Sequence, residues 1–94
     1  MNFDDRRAAI RRVSSLWNVA DRYNLTINEW VAEERRNWAA AANTVANEYG
    51  VPGRVTVADV EATEPLTVGH FDYQSKTALH LWELIEERSV DVPS

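Results

Sequence analysis

The chain has 94 residues, of which 15 are acidic and 10 basic for a net charge of −5, and 45% are hydrophobic. That length holds one core and so predicts a single domain over 1–94; the apolar content excludes a disordered chain, and the acidity argues against a nucleic-acid surface. With no cysteine, disulfide frameworks and thiolate metal sites are excluded.

The opening Met1-Asn-Phe-Asp-Asp-Arg-Arg lacks an apolar signal region, and no apolar run approaches a membrane span. A soluble, cytoplasmic protein is the expectation. Four tryptophans, Trp17, Trp30, Trp38 and Trp82, are many for so short a chain, and each brings a large apolar area with one N–H that needs a partner.

The first helical period runs over about 4–23. Ala9, Ile10, Val13, Leu16, Trp17, Ala20 and Tyr23 recur at three- and four-residue steps on one arc. Asn2 is placed to cap it, and Asp4 and Asp5 suit the positive end of the helix dipole. The second helix is expected over 27–49. Thr26-Ile-Asn-Glu29 has the form of a capping box. Ile27, Trp30, Val31, Trp38, Ala41, Ala42, Val45 and Tyr49 then mark its apolar face, and Gly50 reads as a left-handed stop before Pro52. A short link between these helices implies an antiparallel hairpin.

The segment 54–57 reads either as a strand, by its valines, or as the lead into a short helix near 57–62 with Thr56 and Asp59 as a cap pair. The short helix is preferred, because a lone strand has nothing to pair with; Glu64-Pro65 is expected to end it. The last helix is expected over 72–89, with Asp72 as cap and Phe71, Ser75, Ala78, Leu81, Trp82 and Ile85 toward the core. Residues 90–94 read as a frayed tail. The fold class is therefore all-α: a small bundle of three main helices plus one short helix.

The stretch from Ala46 to Ala62, "ANEYGVPGRVTVADVEA", resembles a helix-turn-helix corner. Its first helix is too long, however, and Pro52-Gly53-Arg54 stretches the turn. The would-be reading segment presents Asp59 and Glu61 to a phosphate-lined groove, with no residue suited to a base edge. Arg7, Arg11 and Arg22 form a stripe opposite the first helix's core face, suited to solvent, an acidic partner or a nucleic-acid backbone.

Glu34 falls among Trp30, Val31 and Trp38 on the apolar arc. A buried carboxylate requires a partner, and Trp17, Arg6, Arg12 or Arg35 could supply one. Otherwise Glu34 and its tryptophans line a groove for a cation or small ligand. His70 and His80 have no fixed convergence, so neither a metal site nor a cofactor is expected. Without a phosphate loop, a nucleophile elbow or a zinc-binding His pair, the chain reads as a non-enzyme.

These readings converge on a small helical protein that acts by binding another protein or itself as a homodimer. Trp30, Glu34, Trp38, Arg7, Arg11 and Arg22 are its candidate contact residues. Apolar side chains off the core arcs, Val19, Leu79 and Leu84 besides Trp30 and Trp38, motivate the reading. The alternative is a nucleic-acid-associated transcriptional regulator with a degenerate helix-turn-helix.

Overall fold

The computed structural model describes residues 2–17, 24–67 and 73–90, with 64–67 and 73–75 described by backbone alone. These residues form four helices: α1 (Phe3–Leu16), α2 (Ile27–Glu48), α3 (Val57–Thr67) and α4 (Tyr73–Val90). No strand occurs among the described residues, and none of their helices is long and apolar enough to cross a membrane.

The helix starts follow local side-chain chemistry. The Asn2 side chain accepts the Asp5 N–H at 2.8 Å, relieving one orphan donor of the first turn of α1. At α2, the Glu29 N–H donates to Thr26 Oγ1 at 3.1 Å, and the Thr26 N–H donates to Glu29 Oε1 at 3.3 Å. Thr56 and Asp59 repeat this reciprocal arrangement at α3, at 3.2 and 2.7 Å.

The end of α2 is equally local. The Gly50 N–H bonds the Asn47 carbonyl and the Val51 N–H bonds the Ala46 carbonyl, with Gly50 at φ 68°. This double bond pattern closes the helix through a left-handed residue.

Three expectations need correction. First, α1 stops at Leu16 instead of running to residue 23. Trp17 turns to extended backbone (φ −61°, ψ 130°) and stacks its indole on Trp38, ring centroids 5.1 Å apart. Residues 18–23, including Val19 and Ala20, lie outside the described residues. Second, α3 runs on through Pro65 to Thr67. The proline removes only the N–H that would reach the Glu61 carbonyl, near the helix's far end, where the loss of one ladder bond is tolerable. Third, the start of α2 is not core: Ile27 is 81% exposed, and burial begins at Glu34 and Trp38.

The segment before α3 is neither strand nor idle loop. The Asn43 side-chain amide donates to the Val55 carbonyl at 3.0 Å and accepts the Val55 N–H at 2.9 Å. It therefore satisfies both backbone groups that a neighbouring strand would have met, and it seats Val55 in the core at 3% exposure.

Packing places α2 and α4 at the centre, in contact with each other and each with α1 and α3. Trp38, Val45, Leu81, Trp82 and Ile85 are fully buried, with Ala9 and Val13 from α1 and Val60 from α3 closing over them. Buried Ala39, Ala41, Ala42 and Ala46 keep α2 thin, so its neighbours approach closely.

Ion pairs lace neighbouring helices, among them Arg6–Glu86 (α1 to α4), Arg12–Glu48 (α1 to α2), Arg35–Glu61 (α2 to α3) and Arg88–Asp59 (α4 to α3). Most of these side chains are partly solvated, so the pairs fix register more than they add stability.

Candidate functional site

A concavity of about 320 Å³ opens between α3 and α4. Asp59, Ala62 and Thr63 line it from α3, and His80, Glu83, Leu84 and Glu87 from α4. Both sets follow helical spacing, so each falls on one face of its helix. Leu84 and Ala62 give the cleft an apolar strip, and carboxylates stand along it.

The carboxylates differ in role. Asp59 is engaged in the fold: Arg88 Nη1 donates to Oδ2 at 2.6 Å and Nη2 to Oδ1 at 2.9 Å, while the Thr56 N–H and hydroxyl donate to the same carboxylate. These donors, the Arg88 guanidinium first, hold the Asp59 carboxyl well below the usual carboxylate range against the opposing effect of partial burial. Glu83 and Glu87 are exposed and make no hydrogen bond or ion pair with a described residue. They are the charges the cleft has to offer. The Thr63 hydroxyl donates to the Val60 carbonyl at 2.7 Å, which leaves it poorly placed to act as a nucleophile. Among the described residues no three His, Asp or Glu side chains converge on a metal position.

The Asp59 arrangement has a pH consequence. A carboxyl depressed in the folded state adds stability above its unfolded pKa of about 3.9 and loses it as pH falls below that. Asp59→Asn is expected to destabilise by about 1 kcal/mol at pH 7, since one cap acceptor and one partly screened charge pair are weakened. The gap to the unsubstituted protein should narrow when urea unfolding is repeated at pH 3. A gap unchanged by pH would detach the charge of Asp59 from stability.

The residues singled out from sequence are scattered. Trp38 lies wholly inside the core, so within this chain it offers no contact surface. Glu34 is buried at 9% exposure and is engaged by a neighbour there. That neighbour is not the Trp17 N–H, which is buried without a partner among the described residues, as are the Trp38 and Trp82 N–H groups and the Thr77 hydroxyl. Arg6 and Arg12 hold Glu86 and Glu48 instead. Trp30 is half-buried, as are Leu79 and Leu84.

Arg7 and Arg11 are exposed on α1 and form no ion pair with a described residue. Arg7 lies over the Phe3 ring at 5.7 Å, a cation–π contact. Arg22 and His70 lie outside the described residues.

From the sequence His80 has no fixed convergence with another ligand, and no site is expected there. The spacing of 80, 83, 84 and 87 marks a face, but nothing local says that α3 borders it. A second, smaller hollow of about 220 Å³ lies near the end of α4, between Val51, Trp82, Glu86, Ser89 and Val90. Comparison of the chain with known protein families, with curated proteins and with solved structures finds no match.

Proposed function

We propose that this protein is a non-enzymatic interaction module of the cytoplasm whose α3–α4 cleft receives a positively charged segment of a protein partner. The observation that carries the reading is the pairing of an apolar strip, Leu84 and Ala62, with two exposed carboxylates that form no ion pair with a described residue, Glu83 and Glu87, at the mouth of one cleft. A lysine or arginine lays its methylenes on such a strip while its charge meets the carboxylates. The scaffold of this reading is an antiparallel hairpin of α1 and α2 with α4 laid across it. Two contacts support that sense, Trp17 meeting Trp38 and Arg12 meeting Glu48, since numbers fall along α1 as they rise along α2.

A suitable probe is a capped helical peptide carrying two arginines four residues apart beside a leucine. Titration into the isotope-labelled protein should shift the amide signals of His80, Leu84 and Glu87 together. The double variant Glu83→Gln, Glu87→Gln should weaken binding about tenfold, the effect of losing two partly screened ion pairs. Signals that move diffusely, or an affinity indifferent to the double variant, would refute the reading.

A second reading is supported by one observation, the exposure of Arg7 and Arg11: these arginines contact a nucleic-acid backbone. It requires binding to a duplex that weakens steeply with salt, and the net charge of −5 opposes it.

A further inference from the structure

We infer that the positively charged segment this cleft receives is the outer face of α1 of a second copy of this chain, so that two copies pair reciprocally. The inference rests on the cleft reading above and names its partner.

The starting point is the ion pairs. Arg6, Arg12, Arg35 and Arg88 are each matched to an acid on a neighbouring helix. Of the described arginines on α1, this leaves Arg7 and Arg11 exposed and without an acid. On α4, the exposed pair that forms no ion pair with a described residue is Glu83 and Glu87, with Arg88 in electrostatic reach of Glu87. The two pairs have the same spacing. Residues four apart on a helix share a face and stand about 6 Å apart along its axis. Two arginines on that spacing meet two carboxylates on that spacing without adjustment of either backbone.

Direction follows from the apolar residues. An antiparallel pairing of α1 with the partner copy's α4 sets Arg7 against Glu87 and Arg11 against Glu83. Extended by one more turn, the same register sets Val90 against Asp4, one residue from Phe3, so both apolar side chains lie at the same end of the pairing. Phe3 is 68% exposed and Val90 83% exposed, two of the large apolar side chains that the single chain leaves in water. A parallel pairing satisfies the charges equally but sets Val90 against Ser14, far from Phe3. Antiparallel pairing thus accounts for two charge pairs and gathers two exposed apolar residues at one end.

Helical geometry also places both stripes where reciprocal pairing needs them. Arg6 meets Glu86 at 2.9 Å across the α1–α4 seam. Arg7 and Glu87 are the next residues round their helices, each turned about 100° from that contact. Both stripes therefore lie on the outer surface along one seam. The Arg6–Glu86 tie sets the start of α1 level with the end of α4, so a two-fold axis running along the helices keeps the antiparallel register in both halves. Each copy then offers and receives the same contacts, which closes the assembly at two. One helix pair on each side is a small interface, well short of the roughly 800 Å² per partner of a standard complex. The dimer is accordingly weak and salt-sensitive.

The test is sedimentation equilibrium of the full chain at about 10–200 μM in about 20 mM and 500 mM salt, a range over which screening of exposed charge pairs changes strongly. The expected result is a dimer at low salt that dissociates at high salt. Arg7→Glu with Arg11→Glu, and separately Glu83→Arg with Glu87→Arg, should each give monomers. An equimolar mixture of the two reversed proteins should restore the dimer, because each then carries stripes complementary to the other.

Circular dichroism confirms that each variant is folded. The neutral pairs Arg7→Gln with Arg11→Gln, and Glu83→Gln with Glu87→Gln, take over where a reversal unfolds the chain, and each should weaken the dimer about tenfold. A chain monomeric at the highest concentration in low salt, dimers in both reversed variants, or a mixture that stays monomeric overturns the inference. If the basic peptide still binds the cleft in those cases, self-pairing falls while the cleft reading stands. If the peptide does not bind yet the mixture dimerises, the stripes pair and the cleft itself is not the receptor.

Discussion

Trp38→Ala is expected to remove about 4 kcal/mol of folding stability, within the range found for deleting a wholly buried tryptophan side chain. Trp38 is at 0% exposure, midway along α2, where Trp17 stacks on it from the end of α1. The alanines that follow, Ala39, Ala41 and Ala42, are too small to fill the space it would leave, and their helix is fixed at both ends by its caps. A cavity here cannot collapse easily, which is the condition for a large loss. Since a small domain holds roughly 5–15 kcal/mol in total, the variant should unfold at much lower urea.

The indole N–H makes the test more specific. It is buried without a partner among the described residues, a state that disfavours the fold by about 1–3 kcal/mol. Trp38→Phe removes that donor along with some packing, so its two effects oppose and the net change should stay within about 1 kcal/mol. Urea unfolding of both variants, with equal slopes, decides the matter. Nearly equal losses for alanine and phenylalanine would mean that the hydrogen-bonding state of the indole, and not its volume, sets the energetics.

What was legible in the sequence was what rests on neighbours three or four residues apart. Asn2, the Thr26–Glu29 pair, the Thr56–Asp59 pair and Gly50 all act within a single turn, and all four take the expected form. The periods that mark α2 and α4 as helices, with Trp38, Val45, Leu81, Trp82 and Ile85 inward, are likewise local.

What failed depended on distant residues. Trp17 continues the period of α1 perfectly well, yet its stack on Trp38, 21 positions away in the sequence, coincides with the helix's end. Arg6, Arg7, Arg11 and Arg12 look alike as letters. Only the placement of Glu86 and Glu48 separates the two that tie helices together from the two that face water. The cleft was hidden for the same reason, since Asp59 and Glu83 meet only when α3 is laid on α4. Asp59 in particular read as an acid unsuited to DNA, whereas its nearest charge is Arg88.

Gly53→Ala should cost about 3 kcal/mol or more, at the upper end for overpacking. A Cβ at this position would sit 2.1 Å from the Ile85 carbonyl oxygen and 2.9 Å from its carbon, both backbone atoms of α4. Neither can swing aside as a flexible side chain does. The approach is held by a hydrogen bond from the Gly53 N–H to Ser89 Oγ at 2.9 Å, and that hydroxyl in turn donates to the Ile85 carbonyl.

The loop must therefore lift off α4, or α4 must shift with fully buried Trp82 and Ile85 attached. Gly50 supplies the control. Its φ of 68° disfavours a side chain, but nothing lies within 4 Å of an added Cβ, so Gly50→Ala should lose only about 1 kcal/mol. Thermal unfolding of both variants separates a backbone preference from a true clash; a larger loss at Gly50 would contradict the close approach. The clash also reaches the cleft. Arg88 donates to the Arg54 carbonyl and to Asp59, so displacing the loop pulls at the ion pair that holds α3 against α4. Basic-peptide binding should accordingly weaken in Gly53→Ala even under conditions where the variant remains folded, and Gly50→Ala should bind as the unsubstituted chain does.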